Sequence, residues 1–396
     1  MDEKNIKIYT WIIVLFPVLM LYNSFVNQVS IVEFASILFV LYALLYKRGQ
    51  LKIDEKTLLM CAFILTTLLI DLLFVSEYQV GDLLGSTSRY LLFWLLLAAM
   101  TKDFFSPAYG MKCIKKISVI ATMYIIVQAG IAKLFNVLLP GGLPLLPTTR
   151  PEMRTYIYDV VRYGYAYRPR SIFGEPAHYA QYILLTISVV LFDATRKRNI
   201  QKKEILLAVF LSVGILISMS TLGIVTLSCV WGYFLWKTLT RSSRKYQLAV
   251  LTFIMVGMPV VLITAWSTPQ IQNIIQTKLL RDGGILADNR FVGFFNLDIL
   301  FDGLKQVLIG RGLMDTEEYL TSFLWWATAF GVLGLILLCW YFYKVFRSTN
   351  ETGKGILLVF LIQCIASELL MGNYFLFYFT FILGFSKKLS LNVDEL

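Results

Sequence analysis

The chain has 396 residues, 58% of them hydrophobic, and a mean hydropathy of +0.69. That composition excludes a soluble globular domain, because apolar runs approaching the roughly 20 residues needed to cross a bilayer follow one another along the whole length. The net charge of +11 does not indicate a nucleic-acid partner, since the lysines and arginines fall in short clusters between apolar runs rather than along one face.

About 12 apolar runs can be marked, which predicts an all-α polytopic membrane protein. They lie at about 8–26, 29–46, 57–75, 83–100, 117–139, 176–194, 203–218, 221–237, 247–266, 319–343, 355–370 and 373–386. Lys4 and Lys7 precede the first run, which continues to Val26 without a small-residue cleavage site and therefore reads as an uncleaved span. Most of the lysines and arginines fall in alternate connectors, from KRGQLKIDEK through TRKRNIQKK to Lys387 and Lys388, so one orientation satisfies the positive-inside rule and puts both termini in the cytoplasm. The hairpins 203–237 and 355–386 have spans short for a bilayer, and each reads either as two spans or as one kinked or re-entrant element. The cysteines show no C-x-x-C spacing and imply neither a disulfide nor a zinc site. Residues 1–396 form a single integral membrane domain with no internal repeat.

Two outer connectors are long, at about 140–175 and 267–318. They carry Arg150, Arg154, Arg162, Arg168 and Arg170, then Lys278, Arg281, Arg290, Lys305 and Arg311. Positive charge on this side runs against the orientation bias, and an anionic ligand accounts for it. The first loop opens with LLPGGLPLLP, whose glycines and prolines end the fifth span. Tyr163, Tyr165 and Tyr167 follow, and their rings suit sugar stacking or an interfacial aromatic belt. Pro176 fits the first turn of the sixth span, so Arg168 and Arg170 fall just before a helix N-terminus, where free N–H groups, the helix dipole and a guanidinium fork favour phosphate. Glu175 reads as a complement to that dipole or as a catalytic carboxylate, and His178 as a packed interfacial residue or a base.

In the second loop, ADNRFVGFFNLDILFDGLKQVLIGRGL places Phe294, Leu297, Phe301, Leu304 and Leu308 on one stripe, describing an amphipathic helix on the outer leaflet that stops at Gly310. Arg290 falls in its first turn beyond an Asp288 cap, where a cation opposes the dipole unless an anion intervenes; a snorkelling side chain or a pair with Asp288 is the plainer reading. Arg311, between two glycines, suits terminal carbonyls as well as an anion. The first outer loop has no D-x-D or acidic pair, so no metal is expected, and no Walker, G-x-G-x-x-G or G-x-S-x-G motif occurs. Among the few charges within apolar runs, Asp71 and Lys133 are placed to pair, with Glu33 and Glu368 elsewhere.

The stretch RPRSIFGEPAHYAQY resembles the bacterial polysaccharide repeat-unit polymerases, the Wzy-type O-antigen and capsule polymerases related to O-antigen ligase. The matching positions are Arg168, Ser171, Phe173, Glu175, Pro176, His178, Tyr179, Ala180, Gln181 and Tyr182, while Arg170 stands where a small residue is more usual. DNRFVGFF through IGRGL resembles the family's second outer loop, with Arg290 at the arginine position and Gly310 and Gly312 at the closing glycines; FGVLGL is a weaker match. The resemblance implies a GT-C-like, metal- and cofactor-independent glycosyltransferase of the bacterial cytoplasmic membrane. It would move a growing glycan from undecaprenyl diphosphate onto a lipid-linked repeat unit at the outer face, making capsule, exopolysaccharide or O-antigen. The expected partners are that donor and acceptor, the bilayer, a chain-length regulator and a flippase. Arg168 and Arg290 would hold the diphosphate with help from Arg170 and Arg311, the tyrosines would grip sugars, and Glu175 or His178 would be the base. A ligase uses the same layout. A lipid-linked glycan flippase or exporter is expected to show cations within the spans of both halves, and a non-enzymatic scaffold would leave the loop arginines dispensable.

Overall fold

A computed structural model describes residues 3–26, 29–48, 50–74, 79–143, 146–148, 167–197, 201–241, 303–313 and 320–386. The described residues form helices and connections, with only isolated bridges between extended segments. In chain order the helices are α1 (Glu3–Leu19), α2 (Ile31–Tyr46), α3 (Glu55–Asp71), α4 (Val80–Phe104), α5 (Pro107–Phe135), α6 (Pro176–Lys197), α7 (Lys202–Ser218) and α8 (Thr221–Arg241). After the described chain resumes come α9 (Gly303–Ile309), α10 (Ser322–Ser348), α11 (Glu351–Cys364) and α12 (Asn373–Gly384). Every predicted span coincides with a helix except 247–266, which lies outside the described residues. Five helices, α4, α5, α6, α8 and α10, are long and apolar enough to cross a membrane.

Local chemistry sets the helix ends. Ser30 and Glu33 close a capping box on α2, the Asp54 carboxylate accepts the Thr57 N–H at the start of α3, and Ser106 followed by Pro107 starts α5. That cap moves the start of α5 well ahead of the predicted 117, and Asn136, left-handed at φ 54°, ends the helix before the glycines and prolines expected to do so. Within α4 a π turn at Leu96–Met100 frees carbonyls for distant partners: Ala98 accepts the Asp54 N–H at 2.8 Å and Leu96 accepts the Tyr9 hydroxyl at 3.2 Å.

α6 is the central helix. Across its apolar window 89% of residues are buried, packed by α5, α7, α8 and α11, and Tyr182 stacks on Phe377 of α12 at 4.9 Å. Hydroxyl pairs tie it to α5, Ser118 to Thr186 at 2.7 Å and Thr122 to Tyr179 at 2.8 Å, the kind of contact that holds helices together where water is absent. The outward faces are apolar instead: Leu45, Leu73 and Leu134 are each more than three-quarters exposed, an arrangement suited to lipid. The uncertain hairpins are both true helix pairs. α7 and α8 turn at left-handed Met219, while α11 and the fully packed α12 stay short and run antiparallel, with the Asn350 N–H reaching the Phe385 carbonyl.

Candidate functional site

After Asn136 the chain doubles back along α5. The Pro140 carbonyl accepts from the Tyr124 hydroxyl at 2.7 Å and the Gln128 amide at 2.9 Å, and Gly142 donates to the Ser171 carbonyl at 3.1 Å. Leu143 donates its N–H to the Tyr22 hydroxyl, which fixes this return strand against the end of α1. The segment before α6 is held from the other side. Ser171 sits at φ 56°, its N–H donates to Gln128 Oε1 at 2.8 Å, and its hydroxyl donates to the Ala121 carbonyl at 2.7 Å. Gln128 lies about 10 Å and Ala121 about 21 Å inboard of the C-terminal end of α5, at 1.5 Å per residue. The loop carrying Arg170 to Glu175 is therefore recessed alongside α5 rather than lying at its outer end. A polar amide in an apolar helix explains the depth, because Gln128 supplies the partner that a buried Ser171 N–H needs.

Arg170 is 5% exposed and donates through Nη1 to the Gly174 carbonyl at 2.6 Å. A Cβ at Gly141 would collide with its side chain, so the glycine makes room for the guanidinium. Arg168 is half-buried beside buried Pro169. Tyr167, also half-buried, donates its hydroxyl to the Leu139 carbonyl at 3.3 Å and so straps the two arms of the first loop together. Tyr163, Tyr165 and Arg290 lie outside the described residues.

Glu175 is exposed and precedes Pro176, the first residue of α6, and its carbonyl accepts the Tyr179 N–H at 3.1 Å. One turn on, the half-buried His178 ring stacks on Tyr374 with centroids 5.4 Å apart, and the Tyr374 hydroxyl donates to the His178 carbonyl at 2.8 Å. Tyr374, at the start of α12, thus joins His178 on the first turn of α6. Nothing in the sequence marked it among the many aromatics of that run, and the same holds for Tyr22, while Gly141 was marked only as a helix-ending glycine. Gln128 had a signal in its polarity within an apolar stretch.

The second loop docks elsewhere on the bundle. α9 ends at Gly310, as expected for the closing glycine, and exposes Leu304 and Leu308 as an amphipathic helix does. The Phe294 to Phe301 part of that stripe lies outside the described residues. The expected pair between Asp71 and Lys133 does not form: buried Asp71 binds Lys305 of α9 at 2.7 Å, because the second loop brings a nearer cation to the end of α3. Glu33 likewise binds Arg89 at 2.6 Å. Beyond α9, Arg311 and Gly312 donate their backbone N–H groups to the Thr328 and Ala329 carbonyls, each at 3.0 Å. Those carbonyls are available because α10 is broken at Gly331, where φ is 63° and ψ −166°. The weak motif FGVLGL and the closing glycines are thus two halves of one contact. Arg311 itself is half-buried, and loss of water pulls its pKa below the ordinary arginine value. Phe330 next to the break stacks on Tyr90 at 6.5 Å, and Tyr90 meets Phe375 at 6.4 Å, so one aromatic cluster runs from the second loop to the residue beside Tyr374.

Among the described residues no group of three or more histidine, cysteine, aspartate or glutamate side chains is placed to hold a metal. No protein-family model and no curated protein matches the chain.

Proposed function

We propose that the chain is an integral membrane glycosyltransferase that polymerises oligosaccharide repeat units carried on undecaprenyl diphosphate, working at the outer face of the bacterial cytoplasmic membrane. The observation that carries this reading is the recess before α6. It brings a buried arginine, an exposed carboxylate and a half-buried histidine together in the segment that leads into α6, next to Ser171, which hydrogen bonds to α5 hold in place. In the proposed reaction an acceptor hydroxyl attacks the anomeric carbon of the donor glycan, and the bond from that carbon to the diphosphate oxygen breaks. The hydroxyl proton passes to Glu175, or to His178 one turn away, and the diphosphate leaves with its charge met by Arg168, Arg170 and Arg290. The exposure of Glu175 suits a group that must reach substrate and return its proton to solvent.

Charge placement favours an enzyme over a transporter. The buried carboxylates of the described helices lie at helix ends beside cations: Glu33 with Arg89, Asp54 with Lys102, Asp71 with Lys305, Asp103 with Lys47 and Asp193 with Arg196. A transporter instead calls for ionisable groups along a path through the bilayer midplane.

The reading is tested in cells that depend on this chain for their surface polysaccharide. Arg168→Ala and Arg290→Ala are expected to insert normally, abolish long-chain glycan and accumulate single lipid-linked repeat units on a ladder gel. Normal polymer length in both variants would contradict it.

A further inference from the structure

We propose that a groove along α1 holds one phospholipid with a primary-amine headgroup, of the phosphatidylethanolamine kind, taken from the leaflet at the Lys4 and Lys7 end. The inference is independent of the function proposed above.

The groove is a concave stretch of a surface that is otherwise convex. Trp11, Ile12, Leu15 and Leu19 recur at helical spacing on α1 and line a space of about 750 Å³, whose far wall is Val32 and Ala35 of α2. These four side chains are half-buried, whereas Leu45 and Leu73 on other outward faces are 80% and 79% exposed.

Polarity changes once along the groove. Glu3, Lys4 and Lys7 stand at one end, and from Ile8 to Leu19 the α1 lining is apolar apart from the Trp11 indole. At the boundary the Trp11 Nε1–H donates to the Tyr109 hydroxyl at 2.9 Å, and the Lys7 ammonium lies 6.0 Å from the Tyr109 ring centroid. Aromatic side chains take that position at a membrane interface. The apolar part covers about 17 Å of helix at 1.5 Å per residue, close to the ~15 Å of one leaflet in a bilayer core of ~30 Å. One acyl chain with its headgroup at Lys4 and Lys7 fits that division. Beyond the other end of α1, Tyr22 accepts the Leu143 N–H of the first loop, so the charged end lies away from the recess before α6. The occupant is therefore a lipid of the opposite leaflet and not the glycan donor.

Charge selects the headgroup. The polar end presents both signs, because Glu3 binds Lys7 at 2.6 Å one turn away, with side chains 81% and 48% exposed. An exposed pair at this spacing is weak, so each partner exchanges readily. A phosphodiester takes the place of the carboxylate beside the lysines, and an adjacent ammonium takes the place of the lysine beside Glu3. A headgroup that carries both groups satisfies both signs at once. Phosphatidylglycerol brings the phosphate without the ammonium, and the quaternary nitrogen of phosphatidylcholine has no N–H to donate.

The experiment titrates full-length protein in detergent with phosphatidylethanolamine, phosphatidylglycerol, phosphatidylcholine and undecaprenyl phosphate as separate probes, and counts bound lipid by native mass spectrometry. The wild type is expected to retain one phosphatidylethanolamine about tenfold more tightly than phosphatidylcholine. A Lys4→Gln, Lys7→Gln double variant should weaken phosphatidylethanolamine about tenfold or more. Glu3→Gln should erase the preference over phosphatidylcholine while phosphatidylglycerol still binds, and Leu15→Trp should weaken binding by filling the apolar part with the charged end intact. Glu3, Lys4 and Lys7 are exposed, so their variants fold whether or not the proposal holds. Equal binding of all four probes, tighter binding of phosphatidylglycerol or undecaprenyl phosphate than of phosphatidylethanolamine, or wild-type binding by the charge variants would overturn it. A lipid-free dimer that cross-links through Ile8→Cys would also overturn it, since a second copy would then fill the groove.

Discussion

Arg170 gains its position from a residue that has no side chain. The guanidinium fills the space that a Cβ at Gly141 would occupy and is anchored on the Gly174 carbonyl at 2.6 Å. Gly141→Val is therefore expected to push Arg170 out of place without altering any charge. Displacements of about 1 Å in a positioned group cost on the order of 10²-fold in rate, so polymer output should fall by that order while the protein still reaches the membrane. Unchanged polymer at equal protein level would show that Arg170 has no part in the chemistry. Glu175→Gln separates binding from turnover: donor binding should persist, and turnover should drop by roughly 10²–10⁴, the range for a lost general base. Full activity would transfer the base role to His178. The sequence offered Arg168, Arg170, Glu175 and His178 as candidates because charge stands out in an apolar chain. It could not locate Gly141, Gln128 or Tyr374, whose importance arises only when the chain doubles back at Pro140 and when α12 meets the first turn of α6.

Helices were legible from hydropathy, and their ends from caps, because both signals are local. Contacts between elements were not. The π turn in α4 has partners at Tyr9 and Asp54, far away in sequence, and its residues are ordinary leucine, alanine and methionine. The break in α10 and the glycines after α9 were separate weak matches in the sequence, and only their main-chain contact explains both. Gly331→Ala is expected to strain the break by roughly 1–3 kcal/mol, the cost of a non-glycine residue in that backbone region, and to lower the melting temperature in detergent. A neutral effect would mean that α10 straightens and releases the second loop. Asp54 gives a pH dependence. Burial alone would raise its pKa, but hydrogen bonds from Lys102 and Thr57, with the Lys102 charge, outweigh burial and hold it below 3.8. A carboxylate depressed in the folded state stabilises above its unfolded value and loses that contribution as pH falls through the folded one. The junction of α3 and α4 should therefore weaken below about pH 4, and Asp54→Ala should cost ~1 kcal/mol at neutral pH and remove that acid sensitivity, both readable from melting curves across pH.

At the scale of the whole molecule, the described helices bury an apolar helix that carries several hydroxyls and also turn leucine outward, an arrangement suited to lipid. The all-helical class and the long apolar helices followed from composition and run length. The placement of α6 at the centre did not, since its hydropathy resembles that of its neighbours and its burial reflects how many helices surround it. The central claim is that the recess before α6 drives glycan transfer from an isoprenyl diphosphate with no nucleotide and no metal. The direct measurement is reconstitution of the full-length protein with a single lipid-linked repeat unit in chelator-containing buffer, with products resolved by size. The wild type is predicted to give a ladder of longer chains and released undecaprenyl diphosphate, and Glu175→Gln none. Intact single repeat units with the wild type, or identical ladders from the wild type and a Glu175→Gln, His178→Ala double variant, would contradict the claim.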